Sequence, residues 1–244
     1  VKQLPIQQAM FDQYLYLTLN VLTLLLPLLL SFDSRVAFYK RWRYLLPSLL
    51  LTAVVFLVWD AWFTSRGVWG FNPDYLSGIY LGILPIEEVL FFFTVPYACV
   101  FIYACVQVYI PRDIFGRREG SISKAIFLFT LFLGAIHYTR IYTSVTFLAL
   151  AMLVFILRWV LRVKWLGHFY LAFIICLVPF FIVNGVLTGT GLPSPVVWYN
   201  PHEIIGIRIG TVPLEDAFYG MLLIMGNVAG LEWLQNKSVK KSKT

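Results

Sequence analysis

Seven runs of predominantly apolar residues, roughly 13 to 31, 44 to 63, 84 to 109, 124 to 139, 141 to 161, 166 to 187 and 212 to 233, dictate what this chain can fold into. Each approaches the length of about 20 residues that an α-helix needs to cross the hydrocarbon of a bilayer. In that solvent every backbone polar group must be satisfied within the segment, so helices are the economical solution. Of the 244 residues 60% are apolar and only 13% charged, and no polar stretch is long enough to build a soluble partner domain. The chain reads as an all-α, polytopic membrane protein with one bilayer domain. The region around His137, Tyr138 and Arg140 allows two readings, one over-long helix from 125 to 157 or two short ones joined by a polar turn.

Charge decides between them. With seven spans, four basic residues precede the second helix (Arg35, Lys40, Arg41, Arg43), four precede the fourth (Arg112, Arg117, Arg118, Lys124), three precede the sixth (Arg158, Arg162, Lys164), and Lys237, Lys240, Lys241 and Lys243 close the chain. The alternate connections hold only Lys2, Arg66, Arg140 and Arg208. Six spans would destroy that alternation. By the positive-inside bias the N-terminus lies outside and the C-terminus in the cytoplasm of a multi-pass protein of the cell membrane. The formal charge of +7 is thereby explained by orientation, and nucleic acid is not expected as a partner. Cys99, Cys105 and Cys176 fall inside apolar runs without a C-x-x-C pair, which suits packing better than zinc or a disulfide framework. The first run lacks a basic leader and a small-residue cleavage site, so it is read as a permanent helix. No dinucleotide fingerprint, P-loop or zinc-hydrolase motif is present, so no cofactor and no metal are expected.

Self-comparison exposes a repeat. Trp69-Gly70-Phe71-Asn72-Pro73, Gly78, Gly82 and Pro85-Ile86-Glu87-Glu88 align without gaps, at an offset of 128, with Val197-Trp198-Tyr199-Asn200-Pro201, Gly206, Gly210 and Pro213-Leu214-Glu215-Asp216. With a four-residue insertion, Asp60 and Thr64 correspond to Asn184 and Thr188. The duplicated unit is a bundle of three helices. Its odd number of crossings would invert a second copy, but the additional helix at 124 to 139 restores the orientation, giving a 3+1+3 parallel repeat. The implied division is 1–110 for the first unit, 111–140 for a linker with the extra helix, and 141–244 for the second unit with its basic tail. Both acidic motifs would then face one another from the outer side.

A continuous helix over residues 75 to 108 would run about 51 Å at the usual rise, so a short entering segment, a break at Pro85 or Pro213, and then the spanning helix are expected. Glu87, Glu88, Glu215 and Asp216 would stand in its first turn. There the helix N-terminus favours a carboxylate while burial favours the neutral acid. Acids at a helix start can simply cap it at the interface. Yet Asp216 precedes the interfacial Trp233 by 17 residues, about 25 Å of helix, which places it within the outer leaflet, where ionisable groups are functional or paired. The four acids are therefore the candidate catalytic groups.

Around them, Asn72 and Asn200 are either turn residues before proline or polar contacts in the cavity, and Asp60, Asn184, Thr64 and Thr188 either face a ligand or satisfy one another. Arg208 has no basic counterpart at Tyr80 and is expected to pair with Glu203 or a buried acid. Phe91, Phe92, Phe93, Tyr97, Phe101, Phe218 and Tyr219 follow the acids, and Trp59, Trp62, Trp69 and Trp198 precede them. Single membrane aromatics are commonly interfacial. Together, aromatic faces beside a neutral carboxylic acid suit carbocation chemistry, because the ring quadrupole stabilises a cation.

The Pro-Ile-Glu-Glu and Pro-Leu-Glu-Asp elements, each preceded by Phe/Tyr-Asn-Pro, resemble the Pro-x-Glu-[Glu/Asp] motif of the small integral membrane lycopene cyclases, and the presence of both copies is similar to the fused form of that family. The resemblance implies conversion of the acyclic ψ ends of lycopene to β-ionone rings without net redox change. It also implies lycopene and other acyclic carotenoids as substrates, membrane lipid as surroundings and other carotenoid-pathway enzymes as neighbours. One acid of either pair would donate the proton and a carboxylate would remove one, with Asn72, Asn200, Phe91, Phe92, Tyr219, Trp69, Trp198, Asp60, Asn184 and Arg208 as the substrate-binding set. Related helices occur in a carotenoid hydratase, which quenches the cation with water. A small-solute transporter of 3+1+3 design is the reading from another class, and a retinal protein is disfavoured because 212–233 contains no lysine.

Overall fold

The computed structural model describes residues 12 to 241. Lys2 and Lys243, on which part of the charge alternation rests, lie outside the described residues. Among the described residues seven α-helices follow one another: α1 (Leu15–Leu30), α2 (Trp42–Ser65), α3 (Ile86–Tyr109), α4 (Glu119–Ile136), α5 (Ile141–Phe155, continued by a π-helical turn Ile156–Val160), α6 (Leu166–Leu187) and α7 (Leu214–Lys241). Two short helices meet at the His137–Arg140 turn, the outcome the charge pattern favours. Six of the seven are long and apolar enough to cross a membrane. The first has 16 residues, about 24 Å of helix, and is correspondingly short for a span. The chain is a helical membrane protein.

Helices α3 and α7 hold the centre. α3 packs against α1, α2 and α6, α7 against α2 and α5, and α4 lies mainly on α5. Leu22, Leu26 and Leu29 on α1 and Leu50, Leu51, Val54 and Val58 on α2 stay exposed, as apolar side chains facing lipid do. Arg158 leaves the π-turn to meet Glu119 at 3.0 Å.

Six short strands organise the loops. β1 (Trp69–Phe71) pairs antiparallel with β4 (Val197–Tyr199), while β2 (Tyr80–Leu81) with β3 (Leu84–Pro85) and β5 (Arg208–Ile209) with β6 (Val212–Pro213) form two small hairpins. The expected entering segment is thus a single 3₁₀ turn, Pro73–Tyr75, followed by a hairpin. The reason lies in the glycines: Gly78 and Gly82, like Gly206 and Gly210, have positive φ, which bends the chain back. Pro85 is then extended, at φ −64° and ψ 148°, and α3 begins at the next residue.

The two motifs repeat the same backbone hydrogen bonds. The Ile86 amide donates to Ile79 at 2.8 Å and the Leu214 amide to Ile207 at 2.9 Å. The Asn72 amide donates to Val196 and the Asn200 amide to Val68, both at 2.8 Å. Each motif loop is therefore bonded to the other one, and the starts of α3 and α7 are held beside each other.

Candidate active site

The ribbon β1–β4 closes one end of a small chamber between these helix starts. Trp69 and Phe71 from β1, Val197 and Tyr199 from β4, Glu88 from α3 and Asp216 from α7 all line it. Its volume is about 60 Å³. Gly70 lies opposite Trp198, and a Cβ at Gly70 would overlap the Trp198 indole. That close approach lets the Trp198 indole lie directly over the Gly70 backbone.

The structure divides the four motif acids into two kinds. Glu88 and Asp216 face the chamber, 9% and 5% exposed. The Tyr16 hydroxyl of α1 donates to Glu88 Oε2 at 2.5 Å. Asp216 receives two phenols, Tyr142 of α5 on Oδ1 at 2.7 Å and Tyr199 of β4 on Oδ2 at 2.8 Å. Glu87 and Glu215 turn toward their own loops. Glu87 Oε1 accepts the Ser77 amide at 2.7 Å and Glu215 Oε1 accepts the Ile205 amide at 2.6 Å, fixing each hairpin against its helix. Thr143 adds a hydroxyl to Glu215 at 2.7 Å. In both acids the second oxygen is buried without a partner, an uncommon state for a polar atom.

Tyr199 stands on the ribbon, outside the helices. Burial, with the charge of Asp216 beside it, raises its phenol well above the ordinary value, so it remains an O–H donor to Asp216 at neutral pH.

The remaining sequence candidates are placed as follows. Trp69 lines the chamber and donates its indole N–H to Asp60 Oδ1 at 2.6 Å; Asp60 is fully buried behind it and also accepts from Thr64. Tyr219 and Phe91 contribute walls, and the Tyr219 hydroxyl is buried without a partner. Asn184 lines the chamber, whereas its counterpart Asp60 does not. Phe92 is buried one layer back against Phe56 and Phe91. Trp198 is on the outer face of the ribbon at 44% exposure.

Asn72 and Asn200 act as turn residues: each side-chain oxygen accepts an amide two residues on, from Asp74 and His202, and each amide group bridges to the other half, at Ser194 and Gly67. The ion pair expected of Arg208 does not form. Its guanidinium reaches the Thr211 carbonyl and lies 5.9 Å from the Tyr199 ring centroid, while Glu203 accepts the Ile141 amide at the start of α5. The hairpin turns Arg208 outward, to an exposed position away from both carboxylates.

Two of the three phenols that hold Glu88 and Asp216, Tyr16 and Tyr142, lie outside the repeated motif. Tyr16 and Asn20 on α1 match Tyr142 and Thr146 on α5 at an offset of 126 instead of 128, a signal present in the sequence once each helix is aligned separately. Asn20 ties α1 to α3 through the Glu87 carbonyl and Thr94.

Beyond Phe91, Val95, Phe180 and Asn184, which border both spaces, the chamber adjoins an apolar tunnel of about 480 Å³ between α1, α3 and α6. Along α3 it extends from Phe91 to Ile102, about 16 Å at the helical rise.

Two acids at the starts of two apolar helices, Glu88 and Asp216, thus meet in one chamber, braced by phenols and walled by aromatic rings. The lycopene cyclase family model matches residues 13–106 and 139–234, and the chain belongs to that family. A curated relative, the bifunctional lycopene cyclase/phytoene synthase of Aspergillus niger, is 23% identical over 197 residues, covering 72% of this chain. The chain spans about a third of that relative's length. No solved structure matches the chain.

Proposed function

We propose that this protein is a lycopene β-cyclase, converting ψ ends to β-ionone rings by proton-initiated isomerisation, with γ-carotene preceding β-carotene. The observation that carries the reading is the meeting of Glu88 and Asp216 in one aromatic chamber that adjoins an apolar tunnel; family membership supplies the substrate class.

Protonated Glu88 donates its proton to the terminal double bond of the ψ end. The tertiary cation is attacked by the π pair of the neighbouring internal alkene, forming the ring C–C bond and moving the charge onto the ring. Asp216 then removes a ring proton, whose C–H electrons become the new double bond. One proton enters and one leaves, so the reaction involves no net transfer of electrons. Two phenols donate to Asp216, and hydrogen bonds to a charged form favour it, so we assign Asp216 as the base. With a single donor, Glu88 is the better acid. Between the steps, Tyr219 and Trp69 present rings to the cation. Glu87 and Glu215 position the loops that seal the site, and Asn72, Asn200 and Arg208 serve that scaffold, with Phe92, Asp60 and Trp198 supporting the walls.

The same reading extends to topology. We assign the helices to a 3+1+3 repeat, 1–110 and 141–244 around a linker 111–140, with the chamber toward the outer side of the cell membrane and the C-terminus in the cytoplasm. The two blocks of the family match, with α4 between them, and the repeated motif bonds support it.

Expression in a lycopene-accumulating host tests the activity: ring-containing products of unchanged mass are expected from the wild type, and far less of them from Glu88→Gln or Asp216→Asn. Products heavier by one water would instead identify a hydratase, and uncyclised lycopene in all strains would sink the proposal.

A further inference from the structure

Residues along the α3 and α6 walls of the tunnel have counterparts in the repeat, on α7 and α2, and there side chains pack against one another. Phe91 and Val95 correspond to Tyr219 and Leu223, Ala98 and Ile102 to Gly226 and Gly230, and on the partner helix Phe180 and Val183 to Phe56 and Trp59. On the closed side the rings of Phe56 and Trp59 lie 5.2 and 5.3 Å from Tyr219. Gly230 lets Ser48 approach so closely that a Cβ would overlap it, and the Ser48 hydroxyl donates to the Asn227 carbonyl at 2.8 Å. Small residues and two rings thus fill on α2 and α7 what stays open on α1, α3 and α6.

The open side also has a mouth. Leu22, Leu26 and Ile182 line the tunnel yet are 60, 62 and 66% exposed. The gap between α1 and α6 therefore faces sideways, toward lipid, the phase in which an acyclic carotenoid dissolves.

Resting on the cyclase reading, we infer that this one-sided tunnel admits a single end of the carotenoid from the bilayer, so that each encounter cyclises one end and the monocyclic product returns to the lipid before its other end can react. Both acids serve one chamber, and the filled α2–α7 side offers the far end no second seat. Phe91 and Phe180 stand where tunnel and chamber adjoin; a chamber of about 60 Å³ admits a branched end only when these rings turn aside.

The full chain in lipid vesicles, with lycopene in large excess over enzyme, provides the test. Monocyclic product is expected to accumulate to many times the enzyme concentration before bicyclic product rises, and purified monocyclic carotenoid added from outside is expected to react. Bicyclic product without a lag, with monocyclic product never exceeding the enzyme, overturns the inference while leaving the cyclase reading intact; absence of any ring overturns the cyclase reading itself. Ala98→Phe, which fills the tunnel away from the acids, is expected to lower turnover at least tenfold. Val58→Trp, at the lipid-facing counterpart of Ile182, is expected to leave it unchanged; equal rates for the two variants overturn the one-sided tunnel. Should Ala98→Phe fail to fold, alkylation of Cys99, a tunnel wall residue, by a lipid-soluble maleimide decides: lycopene is expected to slow it severalfold, and unprotected Cys99 counts against the tunnel.

Discussion

Glu88 and Asp216 occupy matching places in two copies of one motif, yet their surroundings differ by a single phenol. Glu88 has Tyr16; Asp216 has the equivalent Tyr142 and also Tyr199. The additional donor comes from β4, where the first copy places Phe71 at the position matching Tyr199. On the proposed mechanism, that one hydroxyl is what distinguishes the acid from the base on a duplicated frame, a distinction general acid–base catalysis needs.

The largest effects should come from deleting the groups themselves. Glu88→Gln and Asp216→Asn should each lower turnover by about 10²–10⁴-fold, the range of general acid–base contributions, as measured by pigment chromatography over time. If only one is impaired, the two acids do not divide the work. Next, Tyr142→Phe and Tyr199→Phe should each cost about 1.5–3 kcal/mol, the value of a hydrogen bond to a charged group, read as roughly a 10- to 100-fold loss in turnover. With Glu88 as the proposed acid, neutral before it reacts, Tyr16→Phe should cost about 0.5–1.5 kcal/mol. Equal losses for Tyr16 and Tyr199 would erase the asymmetry. Gly70→Val should destabilise the fold by about 1–3 kcal/mol through overpacking against Trp198, seen as a lower melting temperature. Smallest, Thr143→Val should remove about 1 kcal/mol of stability, since Glu215 keeps its Ile205 amide; at the corresponding position in the first copy, Leu17 already leaves Glu87 without a hydroxyl.

Much of this frame was legible in the sequence because its causes are local. Apolar runs set the helices, the Arg140 turn separates α4 from α5 where charge alternation requires it, and Pro85 and Pro213 mark the last residues before α3 and α7. The duplicated acids pointed to their own neighbourhood. Which acid faces the chamber was not legible: consecutive residues on a first helical turn point in different directions, and only the Ser77 and Ile205 amides, brought round by glycine turns, show that Glu87 and Glu215 are engaged by the loops. The phenols on α1 and α5 were missed because those helices carry no charged motif and repeat at a different offset. Arg208 misled because an unmatched charge near an acid suggests a pair, whereas the hairpin directs its side chain to the Thr211 carbonyl.

The pairing of β1 with β4 gives the molecule a seam. Each half supplies one strand of the cover, and neither carries both edges; the Asn72 and Asn200 amides cross the same line in opposite directions. If the chain were cut in the connection between Tyr109 and Glu119, each fragment would expose an unsatisfied strand edge and an unroofed acid. Recombination of the fragments would restore both at once, so assembly itself would switch the chemistry on.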